Sequence, residues 1–164
     1  ATVLAPGPLG NFLIGAGLKR EQFRRAGIGD QFTAKGITFK IAPSGHDNTL
    51  ANGADGGPSA AFMVTFENGF TVFFNGHSTL IADLALYAEL YQPSLAILGL
   101  AGDPPEFARV AKLMTTNNPK LARVIPSHMR PDAPILADGK RELYKLGLGA
   151  LMFVPEVRRA YEYP

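Results

Sequence analysis

Two β-rich runs, residues 61–67 and 70–74, are joined by Asn68-Gly69, and no other feature restricts the fold as much. Asn-Gly is the preferred sequence of a two-residue type I′ turn, so the runs read as antiparallel partners. A helical period follows, with Leu80, Leu84, Tyr87, Leu90 and Tyr91 on one face of a helix over 80–91. Residues 94–100 form a continuous apolar run of the kind found in buried parallel strands. Pro104-Pro105 opens a second amphipathic helix over 106–115, and 123–125 is a short strand running into Pro126-Ser127-His128. A hairpin followed by strand–helix–strand alternation predicts an α/β sandwich with a mixed sheet.

The flanking segments extend this picture. Residues 2–5 read as a strand ended by Pro6 and Pro8, which suit the start of a short helix over 9–18. Residues 31–34 and 37–42 flank Lys35-Gly36 as a second hairpin, and 43–58 is a long polar loop. Residues 150–154 and 157–163 read as closing strands. With 164 residues, 46% of them apolar, the chain can bury a core as a single domain over 1–164. Cysteine is absent, which excludes a disulfide framework, a thiolate zinc site and a cysteine nucleophile, and leaves the redox compartment open. A net charge of +2 is too small for a nucleic-acid-binding surface, despite a pI near 9.0. The longest apolar runs, such as 95–101, fall far short of the roughly 18 residues of a membrane span. Neither nucleic acid nor membrane is expected as a partner.

The three histidines carry the chemistry. His46, His77 and His128 each follow a predicted strand, in Pro43-Ser44-Gly45-His46, Asn75-Gly76-His77-Ser78 and Pro126-Ser127-His128. Loops at strand C-termini are where open α/β sheets gather ligands. A lone histidine in such a loop is usually just solvated. Three in equivalent settings can fill most of one coordination sphere of zinc or a similar ion.

In these residues the chain resembles the metallo-β-lactamase-fold metal-dependent hydrolases, in the branch related to L-ascorbate-6-phosphate lactonase. Thr2 to Pro6, the segment ITFKIAPSGH ending at His46, the hairpin FENGFTVFFNGHSTL, and VIPSH ending at His128 carry the likeness. The resemblance implies an incomplete αββα sandwich with mixed sheets that lacks the N-terminal strands. It implies a divalent metal, zinc foremost with manganese or iron as alternatives, held by His46, His77 and His128. His77 stands where the family has an aspartate bridging two ions, which favours one metal over two. The family's His-x-His-x-Asp-His motif is absent from these residues. The chain therefore reads as the C-terminal two-thirds of a larger hydrolase of a small-molecule ester, lactone, amide or phosphodiester. Alone it is expected to be inactive, and to pair with a missing N-terminal segment or another copy. The alternative is a non-catalytic metal-binding or interaction module with remnant histidines.

Lesser candidates have plain structural readings. Gly15-Ala16-Gly17 lacks the third glycine of a dinucleotide fingerprint. Lys19, Arg20, Arg24 and Arg25 read as a solvated helix face rather than a phosphate site. Asp103 is either a helix N-cap or a pocket-rim carboxylate, and Asp47 either orients His46 or is solvated. Ser44, Ser78 and Ser127 lie beside histidines and invite a serine-hydrolase reading, but no Gly-x-Ser-x-Gly elbow accompanies them.

Overall fold

The computed structural model describes residues 1–77 and 79–163. A six-stranded mixed sheet runs in sequence order: β3 (Gln31–Ala34), β4 (Ile37–Pro43), β5 (Ala60–Thr65), β6 (Thr71–Asn75), β7 (Leu95–Gly99) and β8 (Arg123–Ser127). Neighbours from β3 to β6 are antiparallel and those from β6 to β8 parallel. A parallel pair, β1 (Val3–Ala5) and β2 (Phe23–Arg25), lies apart from this sheet with helix α1 (Gly7–Gly15) between its strands. Backbone bonds between Gly29, Asp30 and Ile41 tie this small unit to β4.

Both expected hairpins form; the turn at Lys35-Gly36 is the expected one and the turn at Asn68-Gly69 is not. Lys35 and Gly36 both have positive φ, at 50° and 75°, the signature of a two-residue type I′ turn. Beyond β5 and β6, Phe66 pairs with Phe70, leaving a three-residue loop of Glu67, Asn68 and Gly69. The Gly69 N–H donates to Phe66 O at 2.9 Å and only Gly69 takes positive φ, at 81°, which is a type I turn with a bulge. The Asn68 side chain explains the choice: its Oδ1 accepts from the Phe70 N–H at 3.0 Å.

Helices α2 (Asp83–Tyr91), α3 (Pro104–Met114) and α4 (Ile135–Lys145) form one layer, with α3 packed between the other two and against β7. Asp103 is the N-cap of α3, its carboxylate accepting from Glu106 N–H at 2.9 Å. In α2 the inward stripe is Leu84, Tyr87, Ala88 and Tyr91, the i, i+3, i+4, i+7 set. Leu80 precedes the helix and Leu90 points outward, so both leave the predicted stripe. The layer closes over Met63, Phe73, Ala96, Leu98 and Val124, which alternate along β5 to β8.

Helix α4 and strand β2 were not foreseen. The α4 sequence is mostly polar and carries at its centre Gly139, a residue unfavourable within helices. That glycine is a packing notch: the Leu100 and Phe107 side chains come within 3.2–3.6 Å of where a Cβ would stand. The predicted closing strands do not form. Gly149–Leu151 is a 3-10 turn, and Met152 makes one bridge to Val124. Pro155, which has no N–H, ends any ladder there. The tail beyond it packs through aromatic rings, with Tyr161 edge-on to Phe153 and Tyr163 stacked on Phe70.

Candidate metal centre

Strands β4, β6 and β8 run in the same direction, so the loops carrying His46, His77 and His128 emerge at one edge of the sheet. They are alternate rather than adjacent strands, and stand about 10 Å apart in backbone. The loops close that gap. Ring centroids of His46 and His77 are 4.2 Å apart, and those of His77 and His128 are 5.6 Å apart.

Gly99 makes the convergence possible. It ends β7, between the strands that launch His77 and His128, and the Gly76-His77 backbone crosses directly over it. A Cβ there would collide with Gly76 O and lie 2.8 Å from His77 Cα. Two further ties hold the loop. The Thr79 N–H donates to Ser44 O at 3.2 Å, joining the His77 and His46 loops, and the Leu80 N–H donates to Glu106 Oε1 at 2.6 Å. On the His46 side, Ser44 Oγ donates to Ser59 Oγ at 2.7 Å, and Ser59 Oγ in turn bonds His46 O. His128 sits in the left-handed region with φ of 63°, a conformation that costs a non-glycine residue of order 1–2 kcal/mol.

His46 Nδ1 meets Asp47 O at 2.6 Å. A carbonyl can only accept, so this nitrogen carries the proton and Nε2 keeps the lone pair, as in many metal-ligating histidines. It is the Asp47 backbone that orients the ring, while its carboxylate accepts from Thr49 Oγ1 at 2.7 Å. His77 has its pKa lowered from 6.5 by desolvation first, then by His46 and His128, which keeps the middle ring neutral.

The donor set can be tested against one zinc-like ion. With nitrogens about 2.0–2.1 Å from zinc, two tetrahedral imidazole ligands have ring centroids about 5 Å apart, close to both separations. Imidazole nitrogens, one of them on a ring whose Nδ1 is taken by a carbonyl, are the right chemistry. The donor chemistry fits such an ion, and the side-chain poses do not gather three donors around one point among the described residues.

No family model matches the chain. It is 28% identical to the UPF0173 metal-dependent hydrolase of Methanopyrus kandleri over 152 residues, 87% of this chain and 64% of that protein. Identity to the UPF0173 metal-dependent hydrolase of Cupriavidus taiwanensis is also 28%, over 92% of this chain and 56% of the relative. The chain thus spans less than two thirds of the length of these relatives. Among solved structures it is similar to Igni18, a metallo hydrolase from Ignicoccus hospitalis, with TM-score 0.70, 22% identity and coverage of 95% and 66%. It also superposes on the metallo-beta-lactamase fold protein YhfI from Bacillus subtilis, with TM-score 0.55, 13% identity and coverage of 79% and 50%. The fold is that of the metallo-β-lactamases.

Within this metallo-β-lactamase fold, the remaining sequence candidates fall away from the histidines. Lys19, Arg20, Arg24 and Arg25 lie on a 3-10 turn and on β2 rather than on a helix face, and Arg24 covers the Phe32 ring at 5.2 Å. Gly15-Ala16-Gly17 is the frayed end of α1. Ser44 is taken up in the loop ties, Ser127 Oγ is buried and has no partner among the described residues, and Ser78 lies outside them. Sequence reasoning passed over Glu106, Ser59 and Gly99, because their roles depend on which loops meet. Asn75 was also missed: its side chain is buried, and neither amide atom has a partner among the described residues. An asparagine at the end of an otherwise apolar strand was the one available signal.

Proposed function

We propose that the chain is the histidine-bearing part of a metal-dependent hydrolase, in which His46, His77 and His128 hold one divalent ion. The observation that carries this reading is the gathering of all three imidazoles from alternate strands onto one rim. Similarity to metal-dependent hydrolases supports it. A bound ion of this kind lowers the pKa of water and polarises the bond to be cleaved. The protein's own groups do the positioning: Asp47 O sets the His46 tautomer, and Gly99 lets the His77 loop reach between its neighbours. The ester, lactone, amide and phosphodiester classes are all compatible with such an ion. Zinc is the expected metal, since an all-imidazole set suits a borderline-soft cation better than magnesium or calcium.

The test is elemental analysis after dialysis against zinc, comparing wild type with His46→Ala, His77→Ala and His128→Ala. Wild type should retain a measurable fraction of one equivalent, as expected for a site lacking further ligands, and each variant markedly less. Equal metal content in all four proteins would remove the reading in favour of a module with remnant histidines.

The sheet face opposite the helices presents Phe39, Phe62, Val64 and Phe74 along a cleft of about 540 Å³. Since relatives are about half as long again or more, the β3–β4 end of this face, with Phe39, is proposed to be covered by strands from the rest of such a fold, leaving Phe62 and Phe74 to border the cleft beside the histidines. Light scattering on the 164-residue chain checks this. Self-association through the face would instead make a second copy its occupant.

A further inference from the structure

A second cleft, of about 380 Å³, opens directly beside His46 and His77. Its walls come from three places: Leu4 and Leu9 of the β1–α1 unit, Phe62 and Phe74 of the sheet, and Ser44 and Ser59 of the loop ties. None of its lining residues among those described is Lys, Arg, Asp or Glu. The volume is at the small end of the range for ligand pockets.

The start of α1 borders this cleft and deepens the point. Helix N-termini ordinarily bind anions through free N–H groups. Here Pro6 and Pro8 have no N–H, and the Leu9 N–H already donates to Gly56 O at 3.2 Å. The end that would receive a phosphate or carboxylate has been stripped of most of its donors. A charged substituent on the Phe62–Phe74 side of the cleft, away from the histidine rim, would lose its hydration and meet no Lys, Arg, Asp or Glu in the lining, which is far more costly than burying an uncharged one. The serine hydroxyls and the Asn48 amide, also in the lining, serve instead as neutral hydrogen-bonding groups.

We infer that this cleft takes the uncharged, largely apolar arm of a carbonyl substrate, an acyl ester, lactone or amide, and excludes phosphorylated or carboxylated arms. The inference rests on the hydrolase reading for what happens at the histidine end, and narrows its substrate class. The arm lies along Phe62 and Phe74, with the reacting group at the His46–His77 rim.

The experiment is an NMR titration of the metal-free chain with four probes of one chain length: hexanamide, hexanoate, hexyl phosphate and hexylammonium. Hexanamide should shift the backbone amides of Ser44, Ser59, Phe62 and Phe74, and bind at least ten-fold more tightly than each charged probe. Phe74 is 43% exposed, so a lysine there can keep its head in water and leave the fold intact. Phe74→Lys should reverse the order between hexanamide and hexyl phosphate. Equal or tighter binding of hexyl phosphate or hexanoate to wild type overturns the inference, as does the absence of any shift at these amides with hexanamide. The two readings fail separately. Loss of zinc binding with the probe order intact removes the metal centre and keeps the cleft, and zinc binding with an anion preference does the reverse.

Discussion

The two faces of the sheet use the same kind of residue and meet different fates. On the helical face Met63, Phe73, Ala96, Leu98 and Val124 are essentially inaccessible, sealed by α2, α3 and α4. On the other face Phe62, Val64 and Phe74 line open clefts, and the same side carries the His46–His77 rim. Adjacent residues on one strand, Phe73 and Phe74, are 0% and 43% exposed. The helical face therefore supplies the stability, and the open face is free to serve binding.

The largest expected effect tests that contrast within β6. Phe73→Ala should cost about 3–5 kcal/mol by urea unfolding, whereas Phe74→Ala should cost about 1 kcal/mol or less. Comparable losses would break the comparison, because they would mean that the open face is as tightly packed as the closed one. Gly99→Ala comes next, since its methyl group enters the crossing of the Gly76-His77 backbone. A loss of about 1–3 kcal/mol is expected, together with reduced zinc retention as His77 is pushed from its neighbours. A variant with wild-type stability and metal content would show that the crossing is not needed.

Asn75 sharpens the comparison from the closed side, where by strand alternation it follows Thr71 and Phe73. Replacing its buried amide, which has no partner among the described residues, with the similarly sized side chain of Asn75→Leu should raise stability by about 1 kcal/mol. A loss instead would mean that the amide is held after all. The smallest effect concerns pH. The His77 pKa is lowered in the fold, so between its folded value and 6.5 the unfolded chain binds more protons. Stability from this group should be full above pH 6.5, fall as pH drops through that window, and level off below it. His77→Gln should flatten that part of the urea-midpoint profile. An unchanged slope in the variant would assign the dependence to another group.

Much of the fold was legible because its signals are local. The two hairpins, the apolar run of β7 and the proline-led, Asp103-capped α3 depend on turn chemistry and short-range periodicity. Some local signals misled. The apolar stretches after residue 150 resemble strands, but after one bridge from Met152 to the edge strand β8 the chain meets Pro155 and continues as an aromatic-packed tail. Helix α4 was hidden by Gly139, whose missing side chain has meaning only once Leu100 and Phe107 are placed against it.

The same division holds at the site. By itself the sequence determined that His46, His77 and His128 would each follow a strand, because strand period and turn residues set those positions along the chain. Only the tertiary structure decided that strands β4, β6 and β8 point the same way, that Gly99 lets one loop cross to the next, and that Asp47 acts through its carbonyl. It also decided which face is closed. Alternating apolar residues say that a strand has two apolar sides, and packing against another layer determines which one loses its water.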